Sequence, residues 1–133
     1  VMHRNTFICS PKLLNSFFAM RSNENIAFAG QMTGVEGYME SAMSGIVAAL
    51  GMFARLSGTP LDDIPIGTMM GALSAYISDP TVVDFQPMGA NFGLLPKPEQ
   101  RIKNKQERYT LIANGALSEM KKYREYVKGR IGI

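Results

Sequence analysis

Cysteine and histidine are almost missing from this sequence, and with them most of the chemistry that side chains perform unaided. Cys9 is the one cysteine. It excludes an internal disulfide and fits a reducing compartment, so a cytoplasmic setting is expected. His3 is the one histidine and lies near the terminus, which argues against a histidine-based triad or metal site. With no histidine to activate it, Cys9 reads as a plain buried thiol rather than a nucleophile. The chain has no G-x-x-x-x-G-K loop, no C-x-x-C, no H-E-x-x-H and no G-x-S-x-G. No catalytic residue and no metal ligand is therefore assigned. Long hydrophobic runs are also lacking: the longest, residues 42–56, contains Arg55 and falls short of the ~18 residues a membrane span needs. No basic leader with an apolar core opens the chain, so no secretory signal is expected. The opening Val1-Met2 hints at a piece of a longer protein.

What remains is an ordinary globular composition in 133 residues, one domain's worth of chain. Its charge is uneven. From Lys97 onward ten Lys or Arg face four Glu, whereas the part before holds four against seven Asp or Glu. A basic tail, residues 97–133, thus follows an acidic-leaning body, residues 1–96. Such a tail suits phosphate-rich partners. It equally suits a solvated helix face with pairs such as Glu99 and Lys103.

Hydrophobic periodicity predicts an α-rich chain with a few short strands. Residues 5–8 alternate and stop at Ser10-Pro11, which predicts a strand; 26–29 are short and apolar, which predicts a strand inside a sheet. Residues 12–24 read as loop with one helical turn. A long helix is expected over 35–57, with Met39, Met43, Ile46, Val47, Leu50, Phe53 and Ala54 as its apolar stripe. Gly37, Ser41, Gly45 and Ala49 form a second, small-residue stripe. A shorter helix is expected over 66–77 and a second long one over 99–127, weakened at Gly115. Between them, residues 84–96 are rich in Gly and Pro yet apolar, so this loop must lie against something.

The most informative stretch is Ile26-Ala-Phe-Ala-Gly30 running on to Gly45. A strand ends in glycine, a glycine-punctuated turn follows, and a helix begins. Such a turn can expose backbone N–H groups to an anion or to the polar edge of a cofactor; it can equally be a tight structural turn. Gly30, Gly34 and Gly37 do not have G-x-G-x-x-G spacing. Glu36 and Glu40, four apart in the expected first turn, suit the helix dipole.

Three stretches together resemble one family: His3-Arg-Asn-Thr-Phe-Ile8 with Ser10-Pro-Lys-Leu-Leu14, Phe28-Ala-Gly-Gln-Met-Thr-Gly-Val-Glu-Gly-Tyr-Met-Glu-Ser-Ala42, and Phe85-Gln-Pro-Met88 with Asn91-Phe-Gly-Leu-Leu-Pro96. The family is that of the folate- and FAD-dependent tRNA (uracil-5-)-methyltransferases, within the glucose-inhibited division A group. The resemblance implies transfer of a methylene group from 5,10-methylenetetrahydrofolate to C5 of the T-loop uridine of tRNA, with FAD carrying electrons from NAD(P)H. It implies the C-terminal part of a glutathione-reductase-like FAD-binding fold, residues 1–96, ahead of the tail. Gly30, Gln31, Thr33, Gly34, Val35, Glu36, Gly37 and Tyr38 would lie along FAD, with Tyr38 near the flavin or folate ring. Arg101, Lys103, Lys105, Arg108, Lys121, Lys122 and Arg124 would contact tRNA.

Two departures qualify this likeness. The fingerprint that holds the ADP half of FAD is absent from this sequence, as are the upstream cysteines the family uses. Cys9 and Gly89 stand where relatives commonly have Asn. The chain alone is therefore expected to be inactive, to lack its N-terminal complement, and to form a homo-oligomer. Alternatives are the group's wobble-uridine modification enzyme, disfavoured by Val35-Glu36 and residues 85–96, and a non-catalytic RNA-binding or dimerisation module.

Overall fold

The structure, a computed structural model, describes residues 6–132. Pro11 lies in the single helical turn α1 (Ser10–Leu13), where a proline lacks only an N–H that the first turn leaves unpaired. The chain then doubles back. The Asn15 carboxamide oxygen accepts from the N–H groups of Phe17 at 2.9 Å and Ala19 at 3.2 Å. Phe18, at φ 62°, is driven fully into the core.

The expected strands are reduced to isolated bridges. Ala27 pairs antiparallel with Ala19, and Leu14 with Met20. Hydrogen bonds from Met20 N–H to Ile26 O at 2.8 Å and from Phe28 N–H to Phe18 O at 2.9 Å flank them. Residues 26–29 pair within the described chain only with this short reversal, which is too brief for a ladder. Of the expected strand at 5–8, residues 6–8 are not strand; Asn5, like His3, lies outside the described residues.

Helix α2 (Tyr38–Leu56) begins three residues later than the periodicity implies. Gly34 and Gly37 take φ of +94° and +111°, and Val35 leaves the helical path to form a parallel bridge with Met88. Glu36 consequently stands outside the helix, and only Glu40 lies in its first turn. The apolar stripe also divides. Val47 and Ala54 are buried, but Met39, Ile46 and Phe53 are exposed, and Ser44 and Ala48 are buried in their stead. Against the expectation from the apolar run alone, this 19-residue helix is by length and composition long and apolar enough to cross a membrane; Ser44, Val47, Ala48 and Ala54 on it are buried in the fold.

Helix α3 (Met69–Ser78) starts where the Thr68 hydroxyl accepts from Gly71 N–H at 3.0 Å. Its start, three residues after that expected, follows from this cap. Arg21 Nη2 donates to Ser78 O at 2.5 Å and so satisfies one carbonyl at its far end. Helix α4 (Lys105–Ile131) is displaced along the sequence from the expected 99–127. Asn104 caps it by accepting from Glu107 N–H at 3.1 Å, and Gly132 closes it at φ 73°. Gly115 does not interrupt it. Because Glu99 and Lys103 precede the helix, their expected pairing does not form; the ion pairs among the described residues are Arg55–Glu24 at 2.7 Å and Lys128–Glu125 at 3.7 Å.

The core gathers Leu14, Phe18, Val35, Val47, Leu73 and Ile77, all fully buried, with Tyr123 and Val127 of α4 joining it. The apolar loop at 84–96 packs as expected. Phe85 is buried against Phe7, edge-on at 5.8 Å, and against Tyr76 at 5.6 Å.

Candidate functional site

The turn from Gly30 to Tyr38 is held from three sides. From α2, the buried Ser44 hydroxyl accepts the Gly30 N–H at 2.7 Å and donates to Ser41 O at 2.7 Å. From α1, the Ser10 hydroxyl donates to Thr33 O at 2.5 Å. From the loop after α3, Met88 N–H donates to Gly34 O at 2.8 Å, and Glu36 N–H donates to Met88 O at 3.0 Å. Thr33 N–H and Gly34 N–H close a 3-10 turn over Gln31–Thr33 onto Gly30 O and Gln31 O.

These bonds sort the eight candidate cofactor residues. Thr33, Gly34 and Val35 are buried and build the turn; Gln31, Glu36, Gly37 and Tyr38 are exposed, and Gly30 is half-buried. Tyr38, at 96% exposure, presents almost its whole ring to solvent. Helix α2 begins on Gly37 with no side-chain cap, so its first-turn amides are not used by a neighbouring side chain. A carboxylate stands beside that end. Glu40 Oε1 accepts from Ala90 N–H at 3.0 Å, and a Cβ on Gly37 would meet the same group, with Cδ 2.8 Å away. The end of α2 is therefore better suited to a hydroxylated ligand edge, which can donate to Glu40, than to a bare anion.

Close packing at Gly34 explains one glycine fully. A Cβ there would lie 2.6 Å from Cε2 of Phe85. The small-residue stripe behaves otherwise: a Cβ on Gly45 would meet nothing within 4 Å, and Ala49 is exposed. Met39, Ala42, Ile46, Ala49, Phe53 and Leu56 form one exposed apolar face of α2 at alternating three- and four-residue spacing.

The seven candidate RNA-contacting residues fall into two groups along α4. Arg101 and Lys103 lie just before the helix and Lys105 and Arg108 in its first turn, while Lys121, Lys122 and Arg124 lie in its second half, where Tyr123 turns inward. Six of the seven are exposed; Arg108 is half-buried, and its Nη1 donates to Ile102 O at 3.2 Å. Tyr123 Oη donates to Asp62 O at 2.8 Å, and Asp62 N–H donates to Tyr126 Oη at 2.9 Å. Burial pushes the Tyr123 phenol up to about 12, with Tyr126, Asp63 and Asp62 adding to the rise.

An apolar cavity of about 510 Å³ opens between α2, α3, the loop and α4. Five methionines line it, Met39, Met43, Met69, Met70 and Met120. Cys9 is exposed rather than buried: it stands at the N-cap of α1, outside the buried pair Ser10 and Pro11. No group of three or more metal-ligating side chains occurs among the described residues.

Sequence reasoning missed Ser44, which fastens the turn, and the Val35–Met88 bridge. No spacing rule marks a hydroxyl inside an apolar helix, and the bridge joins segments more than fifty residues apart.

Residues 1–60 match the family described as Glucose inhibited division protein A. The glycine turn and the start of α2 lie within the matched segment. Individual relatives extend the match along the chain. Proteins named methylenetetrahydrofolate–tRNA-(uracil-5-)-methyltransferase TrmFO are 47% identical in Ligilactobacillus salivarius, over 93% of this chain and 28% of the relative. The Staphylococcus aureus protein is 52% identical over 94% of this chain and 29% of its own length. The Thermotoga maritima protein is 51% identical over the same two shares. Over nearly its whole length the chain is similar to part of these proteins, and it spans less than a third of their length.

Proposed function

We propose that this chain is the C-terminal, cofactor- and RNA-facing part of a flavin-dependent tRNA methyltransferase. The whole enzyme would use 5,10-methylenetetrahydrofolate, FAD and NAD(P)H to methylate C5 of the T-loop uridine. The observation that carries this reading is identity of about half the residues over nearly the whole chain to proteins of that name. Residues 1–96 would complete a glutathione-reductase-like FAD domain, and residues 97–133 would form the basic tail. FAD supplies the redox chemistry when bound. Gly30 and Gly37 would let the backbone approach it, while Gly34, packed against Phe85, would hold the turn in place. The uncapped first turn of α2, with Glu36 and Glu40, would hydrogen-bond its polar edge, and Tyr38 would lie against a ring. The exposure of Gln31, Glu36, Gly37 and Tyr38 supports this assignment. The basic residues of α4 would hold tRNA through its phosphates. A cytoplasmic, membrane-free setting fits an enzyme that draws on tRNA and a nicotinamide cofactor.

Without the rest of the enzyme the chain would bind no FAD tightly and transfer no methyl group. The exposed apolar face of α2 would then be covered by a second copy of the chain. The deciding experiment co-expresses the chain with the remaining portion of a TrmFO relative. Flavin absorbance and methyl transfer to tRNA are expected in the reconstituted sample and in neither part alone. Stoichiometric FAD on the isolated chain would overturn the reading. Exchange of a wobble-position group instead of T-loop methylation would favour the sister enzyme.

A further inference from the structure

Phe92 and Tyr109 join the loop to α4. Their rings stack with centroids 4.4 Å apart and planes 5° from parallel, yet both remain half-exposed outside the core. Lys105 Nζ and Arg108 Cζ each lie 5.5 Å from the centroid of Tyr109. A cavity of about 520 Å³ opens beside the two rings, walled by Pro96, Pro98 and Ile112. Lys97, Arg101 and Arg108 are among its lining residues, against the single carboxylate of Glu99. A second cavity, of about 460 Å³, reaches the same rings from the side of Lys105 and Gln106.

This combination narrows the ligand. A purely apolar partner would be seated well by the walls but would strip water from four cations around it. A bare phosphate would use the cations and leave the rings idle. A nucleotide uses both, since its base has a π-face and its phosphates are anionic. The base must be unpaired, because a base inside a duplex has no free face to stack.

We propose that the Phe92–Tyr109 pair and the cavity beside it form a seat for one unpaired nucleobase of RNA, with Lys97, Arg101 and Lys105 meeting the phosphates on either side. The proposal rests on the reading of the tail as RNA-contacting and adds to it a base-dependent contact. Stacking at such a site makes a loop bind about tenfold or more tightly than a duplex.

The test uses the 133-residue chain and two RNAs of equal length, a stem-loop with 2-aminopurine in its loop and a blunt duplex. The expected result is tighter binding of the stem-loop and quenching of 2-aminopurine on binding. Phe92→Leu and Tyr109→Leu should bring stem-loop affinity down to that of the duplex and remove the quench. Both should leave the salt dependence and the helical circular dichroism unchanged. Tyr109→Phe should keep the parent behaviour. Equal, salt-dependent binding of both RNAs without quenching overturns the base seat and leaves the tail reading standing. Absence of binding by either RNA removes both. The quench in the parent chain needs no variant, so the proposal stays exposed to refutation even if a leucine variant fails to fold.

Discussion

The hydroxyl of Ser44 accepts the N–H of Gly30 at 2.7 Å across fourteen residues of sequence, and this bond sets the distance between the glycine turn and the helix that follows it. Ser44 is fully buried, and its hydroxyl donates a hydrogen bond to Ser41 O. Ser44→Ala should cost about 1–3 kcal/mol, the cost of leaving the Gly30 donor without a partner. Urea unfolding followed by circular dichroism measures it. An unchanged midpoint would mean that the turn is fixed by its other two attachments.

At Gly34, substitution is opposed twice. The backbone sits at φ +94°, and the Phe85 ring occupies the space a Cβ would need. Gly34→Ala is expected to destabilise the chain by about 2–4 kcal/mol. Gly115→Ala is the matching control. It lies in α4, where a new Cβ meets nothing within 4 Å, and should stabilise by about 0.5–1 kcal/mol. Thermal melts of both variants should therefore move in opposite directions.

Alkaline unfolding should report on Tyr123. Its folded pKa stands at about 12 against 10.0 for the free phenol, raised first by burial. Between these values the folded state holds a proton that the unfolded state has lost. The contribution is thus fully present below pH 10 and disappears as pH rises towards 12. In Tyr123→Phe the stability lost through this window should be smaller. At neutral pH the variant should be weaker by about 1 kcal/mol, for want of the bond to Asp62 O. A tyrosinate absorbance titration with denaturant midpoints at each pH checks both effects.

The outer face of α2 should drive self-association of the isolated chain. Ile46, 61% exposed, lies midway along that face with Gly45 and Ala49 beside it. Ile46→Glu should convert a dimer or larger assembly into a monomer by light scattering, with no change in helix content. A monomeric parent chain would show that the face is tolerated in water.

Much of this was legible from the residues, and the remainder failed for physical reasons. Apolar period and stop signals found the three longer helices, but each starts late because a local device outranks periodicity. At α2 it is a pair of left-handed glycines, at α3 the Thr68 cap, and at α4 the Asn104 cap. Residues 6–8 and 26–29 do not form the expected strands, because extended sequence becomes a strand only beside a partner of equal length. Glu36 was misplaced for want of one long-range bridge, Val35 to Met88. Of the candidate cofactor residues, composition could not separate the buried Thr33 and Val35 from the exposed Gln31 and Tyr38. That sorting depends on which neighbours arrive from α1 and from the loop.

The side-chain ties of Arg21 to Ser78 O and of Tyr123 and Arg130 to the backbone of Asp62 and Pro60 span 57, 61 and 70 positions. Helical proteins commonly fold fast because their decisive contacts are near neighbours in sequence. Here the helices are joined through loops that must first be closed over long distances, and each closure costs chain entropy before any contact compensates it. The refolding rate of this α-rich chain should accordingly fall with that of mixed α/β domains, in milliseconds or slower. Its α4 segment should dock only after residues 60–62 have found their place.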